Sequence, residues 1–516
     1  MKITFFLLPL WVINLFAKDM RAIYTIFTLL FLTLFCACET QNLPSITINI
    51  KTSSVECACT GGEITISYAL DPSKKDRGVT ATSNDSWITI INCKGGIVSA
   101  SIEPNENFES RYGSINLSAP GHKATKIELM QYGTPPQTSK HTLMFYFFGT
   151  SLSRYFKTNL EDAAAAIETG ILGNNNRVIF FRQESQYSAY IGELYYDINS
   201  GTCIEKRIKE ITLDSSIIKP EKIGEHIAKM AEIAPAERYG IIFAGHGQGW
   251  ITREIIQRGA DISPSSFSYG YNPWIPASAA EVTRAFGENN VQVNINELAE
   301  GIEHSQIELD YILFDACFMS NIETIYELRH VANYIIASPC EIMGNGFPYN
   351  RTLPYLFEDN GNSSDYIKAA ESYYLFYRDE YTSNYRCGSI AVYDCHEIDA
   401  LAEITKELAK SAKTEYDTAS LQTYEGQIPH HFYDFGQWGK VVATDSEVRK
   451  QFIEQLNKTV IAKYSLESFY SAYGNYGTYP IALGVYTGVT TSAPSTAYPN
   501  GWRETNWYKD VIQLEN

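Results

Sequence analysis

Between residues 45 and 133 apolar positions alternate with polar ones. Ile46, Ile48 and Ile50 share one face of an extended chain, as do Ile64, Ile66 and Tyr68, and later Ile115 and Leu117. A period of two marks strands with one buried face. Turn signals recur at short spacing, at Thr60-Gly61-Gly62, Asp71-Pro72, Gly95-Gly96 and Pro120-Gly121. Short alternating strands broken by such turns predict a small all-β sandwich.

Residues 134–140 (TPPQTSK) read as a linker, and beyond them the pattern changes. Short continuous apolar runs at 142–148, 178–182, 239–244, 311–314, 334–337 and 389–393 suit strands covered on both faces. Between and after them, helical periodicity appears at 155–168, 220–233, 296–304, 321–328, 366–379 and 401–413. Strands alternating with helices predict an α/β domain over 141–516, with a mainly parallel sheet and helices on both faces. His430-His431 reads as the start of a helix.

The N-terminus carries two apolar runs, 3–17 and 23–37, separated by Lys18-Asp19. Neither reaches the roughly 20 residues of a membrane span. Met20-Arg21 followed by the second run has the form of a signal peptide, which places the leader at 1–37. Ala37-Cys38 at its end has the form of a bacterial lipoprotein cleavage site, making Cys38 the candidate lipidation residue and 38–44 a tether. The expected location is outside the cytoplasm: lipid-anchored at the outer membrane or cell surface, otherwise periplasmic or secreted. The lipid would be the only membrane contact.

Composition narrows the picture further. A net charge of −18 and no Lys/Arg block exclude a nucleic-acid partner. Eight cysteines remain beyond Cys38. Export permits disulfides, and a bridge from Cys57 or Cys59 to Cys93 is expected within the sandwich. Cys57-x-Cys59 lacks metal-knuckle spacing, and no H-E-x-x-H motif or ligand cluster implies a metal-dependent hydrolase.

Two of the predicted strands end in reactive side chains. One run reads Ile241-Ile242-Phe243-Ala244-Gly245-His246-Gly247, and the other Tyr311-Ile312-Leu313-Phe314-Asp315-Ala316-Cys317. Ligands of open α/β sheets gather beyond the carboxyl ends of strands. Neighbouring strand tips would bring imidazole and thiol together. A nearby imidazolium favours the thiolate, which is the nucleophile, and can then protonate a leaving amine. The amides of Gly247 and Cys317 are candidate oxyanion donors.

The strand–His246-Gly247 segment, the Asp315-Ala316-Cys317-Phe318-Met319-Ser320 segment and Gly344-Asn345-Gly346-Phe347-Pro348-Tyr349 together resemble the clostripain family of cysteine peptidases. The resemblance runs from about residue 142 to the C-terminus, and includes Tyr433-Asp434-Phe435, an implied late strand at 481–486 and Trp507-Tyr508. It implies a caspase-like sheet, a His246–Cys317 dyad and an endopeptidase acting on proteins or peptides. Members that cleave after Arg or Lys place two carboxylates in the specificity pocket. Asp315 matches one, whereas Asn345 stands where the other is usual, with Glu341 nearby as a substitute. Activation by self-cleavage occurs in such enzymes, and Arg258-Gly259 is the candidate bond here, ahead of Arg253 and Arg284. No cofactor is implied. Calcium dependence occurs in the family, but no calcium-loop motif is present.

The segments Ser83–Ile88, Arg111–Ile115 and Met130–Gly133 resemble BACON-type immunoglobulin-like modules, which implies glycan or mucin contact or a spacer. Trp87 is read as a core residue rather than a sugar platform. The competing class is a surface lipoprotein that acts as a carbohydrate- or protein-binding adhesin, its peptidase-like domain inactive.

Overall fold

The computed structural model describes residues 46–50, 53–70, 78–107, 109–173, 175–252, 254, 293–357, 365–472, 477–493 and 498–513. The leader, the tether with Cys38, and Arg253, Arg258 and Arg284 lie outside these residues. The chain divides into two compact units, Met1–Pro135 and Pro136–Asn516.

The first unit is all-β. One sheet orders Ser54–Cys57, Thr125–Gln131, Arg111–Ser118 and Thr80–Thr82, and the other Asn49–Ile50, Gly62–Ala69, Ile97–Ile102 and Ile88–Lys94. Alternation puts Ile66, Tyr68, Val98, Ile115, Leu117, Ile127 and Leu129 into one core. Full burial of such a side chain contributes roughly 1.5–3 kcal/mol. Trp87 belongs to this core, with the Arg111 guanidinium 4.4 Å above its ring. Arg111 also donates to Gln131 Oε1 at 2.8 Å, tying adjacent strands together. The expected bridge does not form: Cys57, Cys59 and Cys93 carry thiols. Cys57 stands in one sheet and Cys93 in the other, where the Cys93 sulfur lies 3.9 Å from the Tyr68 hydroxyl.

In the second unit we label β1 (Ser139–Phe147), α1 (Ser153–Glu168), β2 (Asn176–Gln183), β3 (Ser188–Asp197), β4 (Thr202–Thr212), α2 (Pro220–Ile233), β5 (Ala236–Ala244), α3 (Ile295–Ser305), β6 (Leu309–Asp315), α4 (Ile322–Leu328), β7 (Ala332–Ala337), α5 (Tyr349–Leu356), α6 (Tyr366–Asp379), β8 (Ile390–Asp394), α7 (Ile398–Lys410), α8 (Phe435–Val442), α9 (Ser446–Thr459) and β9 (Val460–Tyr464). The nine strands form one mixed sheet in the order β4-β3-β2-β1-β5-β6-β7-β8-β9. Its centre, from β2 to β7, is parallel, and antiparallel pairs flank it on both sides.

Alternate side chains of β1 set the two faces. Phe147 packs on Phe156 of α1 and Phe145 on Tyr349 of α5. On the other face Tyr146 meets His226 of α2 and Phe243 of β5. Local signals start the helices: Pro220 opens α2, an Asn294–Glu297 capping box opens α3, and Asn321 accepts from the Thr324 amide at α4.

Two local expectations fail. Residues 481–486 form a turn after the strand Gly477–Pro480: the Val485 amide donates to the Ala482 carbonyl, and Gly484 takes φ +75°. His430-His431 starts no helix; α8 begins at Phe435, where Asp434 accepts from the Gln437 amide. The two histidines instead follow the buried Glu425. Its carboxylate accepts the His431 amide at 2.8 Å and lies 3.2 Å from His430 Nδ1. Among the described residues no helix is long and apolar enough to cross a membrane.

Candidate active site

The site forms where β1, β5 and β6 end together. In the parallel register Ala244 pairs with Phe147 on one side and Asp315 on the other. The Gly245 amide continues this pairing, donating to the Asp315 carbonyl at 3.3 Å. Residues 246 and 317 each lie two positions beyond a strand end, on adjacent tips.

Gly247 makes the approach close. A Cβ there would stand 2.9 Å from the Cys317 amide nitrogen and closer still to its carbonyl oxygen. The requirement is space, since a side chain would collide with backbone. Gly247 and the Cys317 backbone, at the tips of β5 and β6, thus lie against each other. His246 is half-buried and lies beside a cavity lined by Tyr146, Phe243, Phe314, Ala316 and Met319. Its Nε2 is 2.8 Å from the Ser151 hydroxyl, in the loop after β1.

Cys317 is fully buried. The Ile342 amide donates to its sulfur at 3.0 Å, and the Ile342 carbonyl lies 3.6 Å from the same atom. The Ile342 main chain thus meets the sulfur with both a donor and an acceptor. The next residue, Phe318, has φ +58°. That left-handed conformation is costly for a bulky residue and persists only where its surroundings impose it. Here the Phe318 amide donates to the Cys340 carbonyl at 3.0 Å, its ring stacks on Phe432, and Asn321 Nδ2 donates to its carbonyl at 2.6 Å.

Asp315 is buried, and one of its oxygens accepts from the Tyr349 hydroxyl at 2.6 Å and from the Phe347 amide at 3.4 Å. It thereby holds the segment that carries Asn345. The Asn345 side chain is exposed, while its carbonyl accepts from Asn159 of α1 at 2.8 Å. Glu341, the alternative second acid, lies in the interior. Its carboxylate accepts from the Ser471 hydroxyl at 2.7 Å and the Ala472 amide at 3.0 Å, so it ties the Ser468–Ser471 strand to the segment after β7.

Three features of the site escape the sequence reading. Ser151 and Ile342 are invisible because hydroxyl and backbone groups carry no motif, although Gly149-Thr150-Ser151 is a third strand-tip loop. The third feature is the Glu425 turn beside Phe432. Burial pushes the His431 imidazole down to about 4, and its ring stacks on Tyr498. The hydrogen bond to Glu425 holds the His430 imidazole above its usual range. Among the described residues no group of His, Cys, Asp or Glu could hold a metal ion.

A thiol and an imidazole carried on adjacent parallel strand tips are the side chains that a cysteine-type nucleophilic hydrolase requires. Comparison with known proteins specifies it. The clostripain family, peptidase C11, matches residues 269–486, a stretch that contains Cys317 but not His246. The chain is similar to iotapain, a secreted C11 cysteine protease of Bacteroides thetaiotaomicron, at 31% identity over 73% of this chain and 100% of that one, with a TM-score of 0.63. It is also similar to an inactive zymogen C11 protease of Parabacteroides distasonis, at 26% identity over 74% and 100% of the two chains, TM-score 0.59. A second secreted C11 protease of B. thetaiotaomicron, solved with an irreversible peptide inhibitor, shares the fold at 24% identity, 72% and 99% coverage and a TM-score of 0.59. No curated protein matches. The chain belongs to the clostripain family of cysteine proteases, and its larger unit has their caspase-like fold.

Proposed function

We propose that the protein is an exported cysteine endopeptidase that cuts after Arg or Lys, with Cys317 as nucleophile and His246 as general acid and base. The observation that carries this reading is the apposition of Gly247 and Cys317 at the ends of β5 and β6. The Cys317 thiolate attacks the scissile carbonyl carbon, and the π electrons move to oxygen. The Gly247 and Cys317 amides receive the oxyanion. Its collapse breaks the C–N bond while the His246 imidazolium gives its proton to the departing amine. Water, deprotonated by His246, then attacks the thioester, releasing the acid and returning the thiol–imidazole pair. Peptidase activity and its loss in Cys317→Ala, measured on a mixed peptide library, test this. An inert wild type that binds glycan or protein would instead support the adhesin reading.

Specificity follows from the pocket charge. Asp315 supplies one carboxylate for a guanidinium or ammonium group, and Asn345 supplies none. Asn345→Asp is expected to strengthen cleavage after Arg by roughly 1–3 kcal/mol in kcat/KM, through a charge-assisted hydrogen bond. Asp315→Asn is expected to weaken it, with Tyr349→Phe as the control for the structural bond that Asp315 also makes. A wild type that prefers apolar residues before the scissile bond would contradict the assignment.

The buried thiol, tied to Ile342, supports a latent form of the chain. We infer activation by cleavage at Arg258-Gly259, in the connection between the two catalytic strands. Incubated wild type is expected to give a fragment beginning at Gly259, read by N-terminal sequencing, whereas Cys317→Ala and Arg258→Ala stay whole. An intact wild type that turns over peptides would rule out processing as a requirement. Export rests on the leader and on the secreted relative; anchoring through lipid on Cys38 and a BACON-type role for the first unit, as spacer or glycan contact, complete the proposal.

A further inference from the structure

Three strand tips meet at the site, and the third carries a group with no role so far. The loop after β1 runs Phe148-Gly149-Thr150-Ser151, and Ser151 Oγ lies 2.8 Å from His246 Nε2. We propose that Ser151 is a positioning residue: it fixes the orientation and tautomer of His246 for proton transfer with Cys317. This rests on the dyad reading above.

The geometry gives each ring edge a separate task. The central strands are ordered β1-β5-β6, so His246, beyond β5, stands between the β1 loop and Cys317. A Cβ built at Gly149 would lie 3.7 Å from His246 Cδ2. The Cδ2–Nε2 edge therefore faces the β1 loop, which leaves the opposite, Nδ1 edge to serve the nucleophile in the proposed mechanism. With Nε2–H donating to Ser151 Oγ, the lone pair of the neutral ring is on Nδ1, ready to take the thiol proton. In the imidazolium both N–H groups donate, one toward Ser151 and one toward the sulfur or the leaving amine. The loop itself is held: the Gly149 amide donates to Gln183 Oε1 at 3.0 Å, and Gly149 takes φ +105°, which glycine adopts without strain.

The effect on titration has a definite sign. A hydroxyl that accepts from Nε2–H favours the imidazolium, so losing it lowers the alkaline limb of the pH profile, where the imidazolium is deprotonated. Tyr146 lines the same cavity as His246, and Asp315 and Cys317 stand on the adjacent β6 tip. The β1 loop adds no charge, and Arg182 of β2 reaches Ser153, two residues further on.

The test compares wild type, Ser151→Ala and Ser151→Thr, each processed and titrated with a lysyl or arginyl acyloxymethyl ketone so that rates refer to competent sites. Ser151→Ala is expected to lower kcat about tenfold with KM unchanged, and to move the alkaline limb of kcat/KM downward. Iodoacetamide alkylation of Cys317 should shift with it, and Ser151→Thr should restore all three. A Ser151→Ala enzyme with an unmoved profile and unchanged kcat, or one whose loss Ser151→Thr does not repair, overturns the proposal. A wild type without Cys317-dependent turnover would instead remove the dyad reading beneath it.

Discussion

Alanine at Cys317 is expected to abolish peptide hydrolysis, and alanine at His246 to do nearly the same. A dyad acts as one unit, so each single change costs on the order of 10⁴-fold or more in kcat, and the double variant loses little beyond either. Additive losses would mean that the two residues act in separate steps. The fold should persist in both. Cys317→Ala gives up the contacts of sulfur with Ile342, a change of about 1 kcal/mol that a small drop in melting temperature would report. A Cys317→Ala protein that still turns over the wild-type substrates would remove the mechanism entirely.

Gly247→Ala is the second large effect, and its cause is different. The added methyl would meet the backbone of Cys317, and no rotamer can turn it away. Either the β5 tip or the Cys317 turn must shift. Overpacking of this kind costs roughly 1–3 kcal/mol in stability. A displacement near 1 Å at reacting groups can cost about 10²-fold in rate, so kcat/KM should fall by about that factor while the chain stays folded. Denaturant melts beside steady-state kinetics measure both. Full activity in Gly247→Ala would show that the two tips are not in contact in the working enzyme.

Much of this arrangement was legible from residue patterns. Continuous apolar runs such as 239–244 and 311–314 announced strands buried on both faces, and β5 and β6 contain them. Period-two alternation at Ile64, Ile66 and Tyr68 announced the sandwich core. His246 and Cys317 stood out because each follows such a run, and the parallel register makes those two runs adjacent strands. The misses have physical causes. The strand that the family resemblance implied at 481–486 is a turn, in which Gly484 adopts a left-handed conformation. The β3–β4 hairpin lies at the sheet edge, where Lys206, Arg207 and Lys209 interrupt any apolar signal. The expected bridge from Cys57 or Cys59 to Cys93 ignored the division of strands between two sheets, which no local spacing reveals. The partners of His246 and Cys317 were hidden for a related reason. Ser151 reaches His246 across 95 positions, and Ile342 reaches Cys317 through main-chain atoms common to every residue.

Asp315 illustrates how one residue can carry two loads. Its carboxylate holds Tyr349 and Phe347, and so the loop of Asn345, while forming the acid of the proposed pocket. A loss of activity in Asp315→Asn is therefore informative only as a change in the ratio of Arg to apolar cleavage, which a uniform structural defect would leave constant.

The central claim, that Cys317 is a nucleophile activated by His246 at a peptidase site, is met most directly by covalent capture. Processed wild type is incubated with a lysyl or arginyl acyloxymethyl ketone, and the adduct is located by peptide mass mapping. One adduct on Cys317, lost in His246→Ala and blocked by competing peptide substrate, is the predicted result. No adduct, or an adduct on Cys203 or another thiol while Cys317 stays unmodified, would contradict it.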